Sequence, residues 1–290
     1  MITFGPVPSR RLGKSLGINN IVYPKTCSYD CVYCQVGRTL RKSSVRETFY
    51  NPELIYKKTV SHLAKLRESD YPDYLTFVSN GEPTLDLNLG EAIRLLKKTG
   101  FPVAVISNAS MIDKASVRDD LSQADWISLK MDAGTSEIWS RINRPDESLN
   151  FSSILSAISL FAGSYSGKLC TESMIVSGIN DTEDNFRQLA ALLQKINPLK
   201  AYLSIPTRPP SEKSVRSPET DKLNLAWQIF SEAGVNTEFL TGFEGTDTGH
   251  TGNIYEDILN ITSVHPLRED ALLKLLEKDG TGYSVVDSLI

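Results

Sequence analysis

The chain has 290 residues, 40% hydrophobic, 8% aromatic and 23% charged, which is the composition of an ordinary folded protein and excludes fibrous and low-complexity classes. A net charge of −4 removes any global electrostatic case for a nucleic-acid binder, and no apolar run approaches a membrane span. The opening MITFGPVPSRRLGKS carries prolines and basic residues where a secretory leader needs an apolar core, so a cytoplasmic location and no membrane partner are expected.

Charge is unevenly spread. Residues 1–50 hold eight Lys and Arg against Asp30 and Glu47, a local +6 that leaves −10 for the remainder. Such a basic lip is either a solvated face or an attractant for an anionic cofactor, a phosphate-bearing substrate or RNA. Beyond it, short β-branched runs alternate with longer stretches of helical period. Strands are predicted at 16–22, 73–79, 102–107, 126–131, 168–176, 201–206 and 235–240. Helices are predicted at 52–68, 88–99, 113–123, 135–142, 150–163, 182–196 and 217–233. This alternation predicts an α/β fold of parallel strands joined by right-handed crossovers, without deciding between a barrel and an open doubly wound sheet. No G-x-G-x-x-G or phosphate-loop pattern follows any strand.

From residue 253 the pattern becomes helical only, with pieces at 253–260, 267–278 and 283–290. The expected organisation is therefore a main unit over 1–240 and a glycine-rich loop with a small helical C-terminal appendage over 241–290. The appendage reads as a helical lid on the sheet's rim or as a winged-helix-like remnant. Its apolar ending, YSVVDSLI, suggests a unit cut short at Ile290.

Three of four cysteines fall within eight residues, Cys27, Cys31 and Cys34. Three thiolates converging from one loop suit zinc or an iron–sulfur cluster. A closed zinc site or an electron-transfer cluster asks for four protein ligands, whereas a [4Fe–4S] cluster on three leaves one iron open. The only further cysteine is Cys170 on a predicted strand, and His62, His250 and His265 stand alone. Three readings follow: an open catalytic cluster, a non-catalytic iron–sulfur electron carrier, and a structural zinc protein with Cys170 as fourth ligand.

The C-x3-C-x2-C spacing, with Tyr33 just before the last cysteine, resembles the signature of the radical S-adenosylmethionine (SAM) superfamily. The resemblance implies a partial (β/α)6 barrel over about residues 1–240, with Cys27, Cys31 and Cys34 binding a [4Fe–4S] cluster. It also implies SAM chelated to the open iron and cleaved by one electron to a 5′-deoxyadenosyl radical that abstracts hydrogen from a substrate. A flavodoxin- or ferredoxin-type reductant would supply the electron. The family's Gly-Glu-Pro segment, whose backbone and carboxylate hold the cofactor's ammonium group, is matched by Gly81-Glu82-Pro83 in FVSNGEPTL, with Asn80 where many members have glycine. By the same resemblance Tyr33, Ser107, Asn108, Lys130, Asp132 and Glu172 are expected to touch the cofactor.

In such a barrel function gathers at the C-terminal ends of the strands. Cys170, Glu172 and Met174 share one parity there. Arg208 and Arg144 lie in proline-stiffened loops. Cys170 and Arg208 are the candidate catalytic residues, against the plainer readings of a core thiol and a surface arginine. The glycine-rich stretch 242–252 reads as a mobile loop over the barrel mouth or base. FGPVPSRRLGKSLGIN, with the cysteine segment and FVSNGEPTL, resembles a group of radical SAM proteins mainly of archaea and anaerobes, close to the wyosine-type tRNA-modifying synthetases. Residues 1–26 carry no cysteine for a second cluster, which leaves the substrate open among a tRNA nucleoside, a peptidyl residue of a protein and a cofactor precursor.

Overall fold

In the computed structural model, which describes residues 1–289, eight strands form one sheet. In chain order the elements begin with β1 (Thr3–Ser9), β2 (Gly13–Ile18), β3 (Thr26–Cys27), β4 (Arg41–Lys42), α1 (Pro52–Leu63), β5 (Tyr74–Phe77) and α2 (Leu89–Lys97). There follow β6 (Val103–Ser107), α3 (Ala115–Leu121), β7 (Trp126–Lys130), α4 (Ser136–Asn143), α5 (Phe151–Ser164), β8 (Lys168–Met174) and α6 (Glu183–Ile196). The chain ends with β9 (Lys200–Ser204), α7 (Thr220–Glu232), β10 (Thr237–Phe239), α8 (Ile254–Thr262), α9 (Glu269–Lys278) and α10 (Ser284–Asp287). Ile290, at which the last predicted helix stops, lies outside the described residues.

The sheet runs β1-β2-β5-β6-β7-β8-β9-β10, all neighbours parallel except the β1–β2 hairpin. This is the α/β partial barrel of the expectation. β2 and β5 to β9 supply six parallel strands, β10 adds a short seventh, and β1 is an antiparallel addition. Sequence reasoning missed β1 because Pro6 and Pro8 argue against a strand, yet β1 is an edge strand, where a missing N–H is tolerated. It also placed the second strand too late: β2 spans Gly13–Ile18 rather than 16–22. Gly17 lies opposite Phe4 in this hairpin, and a Cβ there would stand 2.1 Å from the Phe4 ring.

Period-two alternation sorts every parallel strand into two faces. Leu75, Phe77, Val103, Val105, Ile127 and Leu129 point outward into the main core, under helices such as α5 and α6, which bring Phe161 and Phe186. Asn150 and Thr182 cap those two helices through their side chains. The opposite parity points into the barrel. There Ala104, Trp126, Cys170 and Tyr202 pack with Leu12 and Leu240 as an apolar floor. Above the floor the inward positions turn polar: Thr76, Lys130, Glu172 and Ser204.

No backbone pairing joins β1 to β10 among the described residues. Arg10 donates to the Leu240 carbonyl across this gap, and Gly249 N donates to Pro6 O at 2.8 Å. The C-terminal helices pack on β1 through Ile254, Ile258, Ile261 and Leu275 around Val7. No helix among the described residues is long and apolar enough to cross a membrane.

Candidate functional site

Cys27 ends β3, and the loop from there to β4 carries Cys31 and Cys34 and is tied down by backbone hydrogen bonds. Val32 N donates to Ile142 O at 3.0 Å, Ser43 N to Cys27 O at 3.1 Å, and Cys34 N to Cys31 O at 3.1 Å. Each sulfur faces its own nitrogen donor from a different part of the fold. Asn108 Nδ2 lies 3.5 Å from Cys27 Sγ, Asn143 Nδ2 3.4 Å from Cys31 Sγ, and Lys25 Nζ 3.1 Å from Cys34 Sγ. Burial pushes the Cys27 thiol well up, and that of Cys31 up to about 12.

Behind the loop, Glu82 N donates to Thr26 O at 3.2 Å, and Gly81 pairs with Thr26 in a parallel bridge. Gly81 has φ +139°, and a Cβ there would sit 1.7 Å from the Thr26 carbonyl oxygen, so the approach requires glycine. Burial raises the Glu82 carboxyl, while four hydrogen bonds oppose that shift. Oε1 accepts from Thr84 N (3.1 Å), Thr84 Oγ1 (2.7 Å) and Ser107 Oγ (2.7 Å); Oε2 accepts from Asn108 N (2.7 Å). Sequence reasoning aims this carboxylate at a cofactor ammonium group. In this structure the side chain ties the end of β5 to the end of β6, with spare acceptor capacity on Oε2. Ser107 and Asn108 serve Glu82, and Asn108 also reaches Cys27.

Lys130 and Glu172 are register partners on β7 and β8, and Lys130 Nζ donates to Glu172 Oε1 at 2.8 Å. Ser204 Oγ donates to the same oxygen at 2.9 Å, and Arg11 forms an ion pair with Glu172. Lys130 Nζ stands 5.0 Å over the Tyr33 ring, whose hydroxyl donates to Asp132. Asp132 also accepts from Asn143 Nδ2 and Met174 N, both at 2.8 Å. Tyr33, Lys130, Asp132 and Glu172 thus form one connected set beneath the cysteine loop.

A cavity of about 260 Å³ opens between this set, the β1–β2 turn and the loop after β9, with Cys34 on its wall. Arg208 lines it. Its guanidinium donates to Gln35 Oε1 at 2.6 Å and to both Glu244 oxygens at 2.7 and 2.6 Å, and lies 2.7 Å from His265 Nε2. Gln35 Nε2 in turn donates to Val264 O at 3.2 Å, so residues of the C-terminal segment complete the wall. Burial and the Arg208 charge push His265 down to about 4.

Two expected site residues do not join this group. Cys170 is in the apolar floor, not on the cavity wall, because β-strand parity fixes a face but not a depth. Arg144 is half-exposed on the far side of the cysteine loop, pairing with Glu212 at 2.7 Å. Nor do the basic residues of 1–50 form a continuous lip: Arg46 pairs with Asp120, Arg41 with Glu47, Arg38 with Glu212 at 2.9 Å, and Lys25 is buried beside Cys34. Missed altogether were the inward aim of Arg10 and Arg11 and the contributions of Gln35, Glu244 and His265. The SRRLG turn carried a partial signal, since two adjacent arginines before a strand put at least one on the inner face.

His62 bonds Gly5 O at 2.9 Å and Thr3 Oγ1 at 3.0 Å, a structural role in the hairpin. Among the described residues, no three or more His, Cys, Asp or Glu side chains converge as a single-ion site. With Cys170 held apart in the floor, three thiolates suit a [4Fe–4S] cluster with one iron open and are one ligand short of a closed zinc site.

A profile of the Radical SAM superfamily matches residues 21–193, more than half of the chain. A UPF0026 protein of Methanocaldococcus jannaschii is 45% identical over 291 aligned positions, covering 100% of this chain and 90% of that protein. A UPF0026 protein of Synechocystis is 38% identical over 71% of this chain and 76% of its own length. Among solved structures, a radical SAM methyltransferase from Sphaerobacter thermophilus aligns with a TM-score of 0.58 and 16% identity over 78% of this chain and 66% of that one. A structure of TYW1 with a lysine-pyruvate adduct bound aligns with a TM-score of 0.55 and 20% identity, over 76% and 75%. At such identities the likeness is one of fold. The profile match and the 45% identical relative place this chain in the radical SAM superfamily, among its UPF0026 proteins.

Proposed function

We propose that this chain is a radical SAM enzyme in which Cys27, Cys31 and Cys34 hold a [4Fe–4S] cluster and the cavity beneath Cys34 receives the substrate. The observation that carries the reading is the loop itself: three cysteines within eight residues, each sulfur facing its own nitrogen donor, above a cavity with an apolar floor. When bound, the cluster and SAM supply a 5′-deoxyadenosyl radical able to take hydrogen from an unactivated carbon.

The chain's own residues bind and orient. The backbone of Gly81 to Pro83, with Ser107, Asn108, Lys130, Asp132, Glu172 and Tyr33, would form the surround of SAM beside the cysteine loop. Glu82 holds that surround in shape rather than offering its whole carboxylate. The floor keeps water from the base of the cavity. Arg208 reaches across the cavity wall to Gln35, and Glu244 and His265 of the C-terminal segment close its side as a lid. Leu40 is exposed and flanked in the chain by Arg38 and Lys42, a segment suited to contact with an acidic flavodoxin- or ferredoxin-type reductant. Of the substrate classes left open, a compound small enough for the cavity fits better than a bulky RNA or protein segment.

Anaerobic reconstitution tests the reading. Wild-type protein should take up iron and sulfide and release 5′-deoxyadenosine from SAM with dithionite. Cys27→Ala should lose the cluster and Cys170→Ala should keep it. A loaded cluster with no cleavage of SAM would overturn the enzymatic reading.

A further inference from the structure

The cavity wall holds more positive than negative charge, and the excess is built in pairs. Arg11 and Lys130 share the single carboxylate of Glu172. Arg10 and Arg208 share that of Glu244, at 3.6 and 2.6 Å. All six side chains line the same 260 Å³ cavity, each at most 21% exposed, so bulk water screens them poorly. Of the other titratable groups on this wall, Cys34 is one of the three cluster cysteines, Tyr33 donates its hydroxyl to Asp132, and His265 adds no negative charge: its Nδ1 faces Pro266 O at 3.1 Å and its Nε2 faces the Arg208 guanidinium, which makes it a neutral acceptor. Arg11, pushed down to about 10 by burial and by Arg10, is still charged at neutral pH.

Asp132, joined to Lys130 through the Tyr33 ring, offsets one more of the four cations, which leaves one positive charge without a counter-ion, on the Arg10–Arg208 pair. Partly buried charge is stable only when paired or hydrogen-bonded, so such a surplus calls for an anion that arrives with the ligand. SAM does not meet the need, because its sulfonium and ammonium outnumber its one carboxylate. The guanidinium pairs also suit planar or tetrahedral oxyanions, which they can bind through two parallel N–H donors.

We infer that the substrate is a small anion carrying a phosphate or carboxylate group, held by Arg10, Arg11 and Arg208 with its carbon skeleton toward the cavity beneath Cys34. This rests on the cavity being the substrate chamber of the proposed enzyme. The anion site itself is a property of the chain whether or not the radical reading holds.

The test measures binding, not turnover. Cluster-loaded wild-type protein is titrated calorimetrically with glycerol 3-phosphate and with glutarate, alongside their uncharged counterparts glycerol and glutaramide. At least one anion should bind about tenfold or more tightly than its neutral counterpart, and which arm responds separates phosphate from carboxylate. Arg10→Gln and Arg208→Gln should each weaken that binding by about tenfold, and Arg208→Lys by less, since it keeps the charge. Equal binding of charged and neutral probes, no binding of either anion at millimolar concentration, or undiminished binding in the Gln variants would overturn the inference. If the Gln variants do not fold, the wild-type probe comparison and Arg208→Lys still decide. Failure of the enzymatic reading shows separately, as absent SAM cleavage in protein that still binds the anion.

Discussion

Arg208 donates to Gln35 at 2.6 Å, and Gln35 is the residue that follows Cys34. The same Gln35 side chain donates to Val264 O at 3.2 Å, so one amide joins the cysteine loop, the loop after β9 and the C-terminal helices. Gln35→Leu keeps the volume and removes both hydrogen bonds, one of them charge-assisted. A cost of about 1–2 kcal/mol is expected, lowering the melting temperature by about 2–4 °C. Scanning calorimetry of the two proteins reads it, and an unchanged melting temperature would show that the latch contributes nothing.

Glu82 offers a more specific case. In Glu82→Gln one amide oxygen can still accept from Thr84 and Ser107, but the amide nitrogen then faces the backbone N–H of Asn108, donor against donor. The expected loss is about 1–3 kcal/mol of stability with weaker SAM binding and iron content retained. Iron analysis and SAM titration on one preparation separate the two effects; loss of iron with intact SAM affinity would contradict the assigned role.

Glycine substitutions give a paired control. Gly81→Ala drives a Cβ to 1.7 Å from a backbone oxygen, whereas Gly100, at φ +85°, has nothing within 4 Å of the added atom. Gly100→Ala should cost only conformational strain, about 1 kcal/mol, and Gly81→Ala about 3 kcal/mol or more, with loss of iron uptake. Denaturant titration of both variants should rank them in that order.

Acid should act partly through His265. Its folded pKa of about 4 lies below the unfolded value of 6.5, so the unfolded chain binds the proton first as pH falls. Stability from this group is complete above about pH 6.5 and is lost progressively toward pH 4, by about 3 kcal/mol at most. Asp86, raised to about 6 by burial, works in the opposite direction over the same window. The diagnostic quantity is therefore the difference between wild type and His265→Gln, which should shrink from pH 7 to pH 4.5 in urea melts.

The parallel strands were legible because burial on both faces demands continuous β-branched and aromatic runs, as in PVAVIS at 102–107 and WISLKM at 126–131. β1 was not, since prolines acceptable on an edge look like strand breakers. The cysteine spacing and Gly-Glu-Pro were legible because each confines its chemistry to a few adjacent residues. The cavity was not: Glu244 and His265 meet Arg10 and Arg208 only after the chain has closed on itself, and no local pattern encodes that meeting. Cys170 shows the limit of parity, which gave it the same face as Glu172 while the fold gave it a different layer.

The sheet's two edges meet through side chains, Arg10 to the Leu240 carbonyl and to Glu244, rather than through a ladder of backbone hydrogen bonds. A seam of this kind can widen by rotamer changes and restored hydration, with no strand pairing broken. The girth of the barrel is therefore adjustable at one place, and salt, which weakens the ion pairs of the seam but not the ladders, should loosen that place first.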